Sequence, residues 1–210
     1  MKFKLRLILC TLLLGGVSLS VCAKDVSAVA PNNELAEKLD MLTKYINDGQ
    51  YSTARKYIVE EKLPPVAVSE VLKTPAVAGD TPSMWMLAEQ YYLLNRFQDS
   101  ADWTYTAFLG TRIDAKLCEN QTASGLERNI ISAFNDTVQK ARQDPLVMQS
   151  AITFAIDTQR NISKEKRDAT WICSMVKQNS QDMFILPSKR DYVIDEEISN
   201  FEKVSNRNNR

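Results

Sequence analysis

Leu35, Leu39, Leu42 and Ile46 recur at steps of four, three and four residues, which lines one face of an α-helix. The pattern predicts a helix that opens at Asn33. Asp48-Gly49 ends it, because glycine accepts the left-handed geometry of a helix C-terminus. A second helix is predicted from Tyr51, with Ala54, Tyr57 and Ile58 turned inward. Between Glu60 and Asp80 the period is lost. Pro64, Pro65 and Pro75 forbid one continuous helix there, leaving a long ordered connection with a short helix from Val66 to Lys73. Long connections of this kind are often functional, so Val66 and Val68 are candidate partner contacts.

Helical periodicity returns at Thr81, predicted as an N-cap with Pro82 in the first turn. Met84, Leu87, Ala88, Tyr91 and Leu94 share one face. Asn95-Arg96 marks a turn, and a further helix carries Ala101, Tyr105 and Phe108. Trp85, Tyr92 and Trp103 lie partly off this stripe. Large aromatics are usually buried, but Trp and Tyr are also enriched at interface hot spots. These three are therefore the main partner-binding candidates.

Downstream, residues 119–125 are predicted as a loop, and Leu126, Ile130, Phe134, Val138 and Ala141 trace one more helix. Asp144-Pro145 has the form of an N-cap and first position. Ser163 is predicted to cap a helix holding Trp171, Ile172 and Met175. Ser188, with Asp191 three residues on, approximates a capping box for a last helix through Ile194, Ile198 and Phe201. About eight helices and no strand are expected, which makes the fold class all-α.

Thr81 to Gly110 resembles helical repeats of the tetratricopeptide and Sel1 type. Leu87-Ala88-x-x-Tyr91 resembles the first-helix signature, and Ser100-x-x-Trp103 with Ala107-x-x-Gly110 resembles the second. A weaker echo runs from Leu42 through Tyr45, Gly49, Tyr51, Ala54 and Tyr57. The stretch lacks the G-x-G turn, has Ala88 where glycine is usual, and has Thr104 in place of tyrosine. The resemblance implies antiparallel helical hairpins in one compact array, a scaffold that works by binding another protein.

The N-terminus changes the setting. Lys2, Lys4 and Arg6 precede an uncharged apolar run from Leu7 to Val21, and Val21-Cys22-Ala23 fits a cleavage pattern. Residues 1–23 are thus predicted to be a signal peptide, 24–32 a flexible lead-in, 33–205 a single helical domain and 206–210 a frayed tail. The expected location is the periplasm of a Gram-negative bacterium. The competing reading is a lipoprotein anchored through Cys22, since Leu19-Ser20-Val21-Cys22 loosely resembles a lipobox. The 26 basic and 26 acidic residues balance over 210 positions, and loss of the three N-terminal cations leaves an acidic excess. That offers no basic face for nucleic acid and no polybasic anchor for lipid.

Beyond the leader, Cys118 and Cys173 remain. In an exported protein they are expected to form one structural disulfide, two free buried thiols and a redox pair being the alternatives. Histidine is absent altogether, which excludes His-based triads, His general bases and most catalytic zinc sites. No glycine-rich phosphate loop or calcium loop is present, so no cofactor or metal is expected. Carboxylate chemistry on cell-wall glycosides is the enzymatic alternative. Its candidates are Glu127 and Asp136, nine residues apart on what is predicted to be one helix. Glu60-Glu61 and Asp195-Glu196-Glu197 have the look of solvated charge. The favoured expectation is a non-catalytic protein-interaction module, such as a toxin-immunity protein or an envelope assembly adaptor.

Overall fold

Four successive helices end in the same way. In the computed structural model, which describes residues 33–177 and 182–207, α1 (Asn33–Asn47), α2 (Tyr51–Glu60), α3 (Pro65–Ala78) and α4 (Thr81–Leu93) are each followed by a left-handed residue. These are Gly49, Lys62, Gly79 and Asn95. Each closes the helix with a pair of reversed backbone hydrogen bonds. At α3, Gly79 N–H donates to Ala76 C=O and Asp80 N–H to Pro75 C=O, at 3.1 and 3.0 Å. The paired bonds satisfy carbonyls that the helix end leaves free, and they let the chain turn within a few residues. The predicted signal peptide and lead-in, including Cys22, lie outside the described residues.

The 60–80 region differs from expectation. It is a 14-residue helix, not a connection with a short helical insert. Pro65 sits in its first turn, where a missing N–H costs nothing. Pro75 falls in its last turn and does not interrupt it. Val68, Leu72 and Ala76 face inward with no exposure. The capping of α4 also differs: Asp80, not Thr81, is the N-cap, and its carboxylate accepts from Ser83 N–H at 3.1 Å. Thr81 is one residue inside the helix and fully buried.

α5 (Phe97–Lys116) is the axis of the domain, packed most extensively on α8 (Pro145–Asn161) and α4. Ser100 Oγ donates to Ala88 C=O at 2.9 Å, and the small residues there let α4 and α5 approach closely. The first part of α5 contributes Trp103 and Ala107 to a core shared with α1–α4. Its last turns contribute Leu109, Ile113 and Ala115 to a second core with α8 and the C-terminal elements.

The helix expected over 126–141 is broken. A 3₁₀ segment, Gln121–Leu126, leads into α6 (Glu127–Ala133), and α7 (Asn135–Arg142) follows after Phe134 leaves helical geometry. Asp144 caps α8 as predicted, accepting from Leu146 and Val147 N–H groups. No helix starts at Ser163; only α9 (Thr170–Cys173) forms in that stretch. α10 (Pro187–Arg207) opens one residue ahead of the predicted cap. Cys118 and Cys173 are joined in a disulfide that ties the end of α5 to α9. The described residues contain ten α-helices and no strand, only an isolated bridge between Cys118 and Phe184. No helix among them is long and apolar enough to cross a membrane.

Candidate functional site

Asp114 lies near the end of α5 on its inward face with no exposure. A carboxylate in that position is costly unless charge and hydrogen bonds compensate it. Arg167 supplies the charge, with Nε 2.6 Å from Oδ1. Thr81 Oγ1 donates to Oδ2 at 2.6 Å, and Trp171 Nε1 donates to the same oxygen at 2.9 Å. The rest of the guanidinium is used as well: Nη1 donates to Gln159 Oε1 at 2.6 Å and Nη2 to Gly110 C=O at 3.1 Å. Gln159 Nε2 in turn donates to Thr106 C=O at 2.8 Å. Arg167 is drawn inward from residues 163–169, which do not form a helix. One buried ion pair thus fixes α4, α5, α8 and the loop that leads to α9.

The loop and α9 deliver Trp171 to one side of a cleft of about 710 Å³. α2 forms another side with Tyr51, Arg55 and Val59, spaced four residues apart on one helical face. Pro82, Trp85 and Met86 come from the start of α4. Ile130 and Phe134 come from α6 and the break after it, and Met175 lies just beyond α9. The surface is overwhelmingly apolar and aromatic. Trp85 stacks on Phe134 with ring centroids 5.1 Å apart, and its Nε1 donates to Thr111 Oγ1 at 2.9 Å. Arg55 lies over the Phe134 ring at 4.5 Å, held by a bidentate bond to Glu89. Val59 and Met175 are 72% and 60% exposed, which leaves large apolar side chains in water at the cleft.

Polar groups enter at the edges. Tyr51 OH donates to Asp80 Oδ1 at 2.5 Å. Burial pushes the Asp80 carboxyl above its ordinary range, against the lowering effect of Ser83 and Tyr51. The Tyr51 phenol is raised by burial first and then by the charge of Asp80. Beyond Arg55 and Phe134 lies a smaller polar recess of about 250 Å³, which Glu89, Tyr92, Asn135 and Asp136 help to line.

The partner candidates from the sequence are dispersed. Trp85 forms part of the cleft wall but is itself only 1% exposed. Tyr92 borders the polar recess and packs against Phe97. Trp103 is buried in edge contact with Phe154, away from the cleft. Val68 is fully buried in α3, and Val66 is exposed on it. Neither valine lines the cleft. Trp171, Phe134, Met175 and Val59 were not singled out by sequence. Val59 alone carries a signal in the sequence, as an apolar residue beside Arg55 and Lys56 at an outward-facing position of its helix.

The carboxylate candidates do not converge. The break at Phe134 puts Glu127 on α6 and Asp136 on α7. Glu127 is raised by burial, with Arg112 lowering it and Glu197 raising it, and it does not line the apolar cleft. Glu61 pairs with Lys38, Asp195 with Lys164, and Glu197 with Arg112. Among the described residues no group of three or more acids or cysteines is arranged to hold a metal ion. Comparison with protein-family models, with curated proteins and with solved structures returned no match.

Proposed function

We propose that this chain is a non-catalytic interaction protein of the bacterial envelope, and that it binds an apolar segment of a protein partner in the cleft between α2, α4, α6 and α9. The observation that carries the reading is the cleft itself. It has the size and the mostly apolar lining of a binding site. Two methionines among aromatic rings give it a surface that adapts to side chains of differing shape. The disulfide and the lack of a membrane-spanning helix among the described residues are compatible with export. A toxin-immunity role and an envelope-adaptor role both fit this picture.

The test is affinity capture from the periplasmic fraction of the source organism with wild type and with Val59→Asp/Met175→Asp. The reading expects one partner retained stoichiometrically by wild type and lost by the variant. Equal capture by both would overturn the cleft as the binding site, and an activity on cell-wall material abolished by Glu127→Gln would overturn the binding reading in favour of the carboxylate hydrolase.

A further inference from the structure

The wall of the cleft carrying Trp171 and Met175 has little structure of its own. α9 is four residues long, far below the length at which a helix is stable in isolation. It follows a loop whose buried anchor is Arg167. Its covalent anchor is Cys173, two residues after Trp171 and two before Met175. The bond runs to Cys118, just past the end of α5, and both cysteines are fully buried. Trp171 has a second tether, its N–H on Asp114. Met175 is 60% exposed, and its backbone N–H donates within its own turn to Ile172 C=O at 3.1 Å.

We propose that the Cys118–Cys173 disulfide controls the cleft: the oxidised pair sets the Trp171–Met175 wall, and the reduced pair leaves the cleft a poor binder. This inference rests on the cleft being a binding site. Opening the bond takes two electrons and two protons from a dithiol, which becomes a disulfide while Cys118 and Cys173 become thiols. Closing it returns them to a small-molecule or protein disulfide oxidant. Because both sulfurs are buried, exchange requires α9 to lift, and an occupant lying on α9 opposes that movement. Linkage then requires reciprocity: a ligand that prefers the oxidised cleft makes the disulfide harder to reduce by the same factor.

The three tryptophans make the test site-specific, because Trp85 and Trp171 line the cleft and Trp103 does not. Indole N–H resonances of ¹⁵N-labelled protein are followed while the uncharged apolar probe N-phenyl-1-naphthylamine is added. In the oxidised protein the Trp85 and Trp171 signals should move saturably while Trp103 stays in place. In Cys118→Ser/Cys173→Ser the probe Kd should rise at least tenfold with Trp103 unmoved. Equal Kd values would overturn the disulfide's role and leave the cleft standing. If Trp85 and Trp171 do not respond in the oxidised protein, the cleft reading falls and takes this inference with it.

Should the double variant fail to fold, wild type in a graded dithiol/disulfide buffer decides the matter. Saturating probe should lower the reduction midpoint by about 30 mV for each tenfold preference. An unmoved midpoint would overturn the proposal.

Discussion

Trp171 and Asp114 are joined behind the cleft wall: the indole N–H donates at 2.9 Å to a carboxylate that also holds Arg167 at 2.6 Å. The face that meets solvent and the most deeply buried charge are therefore parts of one arrangement. Disturbing the charge should be felt at the cleft, and most changes on the outer surface should not.

Asp114→Ala leaves Arg167 buried without its counter-ion. The expected loss is about 3–5 kcal/mol of unfolding free energy. The exposed pair Arg160–Glu202, at 2.7 Å, is the control, and Glu202→Ala should cost no more than about 1 kcal/mol. Denaturant unfolding of both variants gives the comparison. Similar losses would mean that the Asp114 network does not hold the core.

Gly79 and Gly49 both occupy left-handed geometry, at φ of +106° and +69°, but their surroundings differ. A Cβ at Gly49 meets nothing within 4 Å, whereas at Gly79 it would lie 2.6 Å from Ile162 Cγ2. Gly49→Ala should cost about 1–2 kcal/mol from backbone strain alone. Gly79→Ala should cost about 1–3 kcal/mol beyond that, because a packed side chain must move. Equal effects in thermal or denaturant unfolding would refute the close packing of Ile162 on this turn.

Val68 and Val66 are equivalent partner candidates in the sequence and opposites in α3, at 0% and 59% exposure. Val68→Ala is expected to destabilise by about 2 kcal/mol through lost burial and the cavity left behind. Val66→Ala should stay within about 0.5 kcal/mol. The reverse order would mean that α3 presents its other face to the core.

Asp80 supplies a pH dependence with a definite sign. Burial raises its folded pKa, so the folded state binds this proton more readily than the unfolded chain does. Its contribution then favours folding increasingly as pH falls through the folded pKa, and levels off below the unfolded value. Asp80→Asn retains a capping acceptor and has no proton to exchange. Unfolding free energies compared between about pH 7 and pH 4 should show wild type gaining on Asp80→Asn as the pH drops. A flat or opposite trend would mean that hydrogen bonding, not burial, governs this carboxyl.

Much of the helical order was legible because it depends on neighbours in sequence. The α1 period, the left-handed Gly49 stop and the Asp144-Pro145 cap are local signals, and the two cysteines left few pairings to weigh. The misreadings have non-local causes. α4 buries ten of its thirteen residues, Trp85 among them, so its apolar and polar positions do not separate into the two faces that periodicity reads. Asp80, not Thr81, caps α4, and the Thr81 hydroxyl is committed instead to Asp114, thirty-three residues away. The loop at 163–169 carries Arg167 to Asp114, and the break at Phe134 lies where that ring stacks on Trp85; both contacts are distant in sequence, and periodicity encodes neither. The cleft was missed for the same reason, as its walls come from four separated stretches of chain.

The central claim is that a protein partner seats in this cleft. A photo-crosslinking amino acid in place of Val59 reports on the cleft, and the same group in place of Leu146, which is 82% exposed on α8, reports on the remote surface. Irradiation of cells of the source organism should give one discrete adduct from position 59, none from position 146, and loss of the adduct when Met175→Asp is added. Adducts formed equally from both positions, or from position 146 alone, would contradict the account.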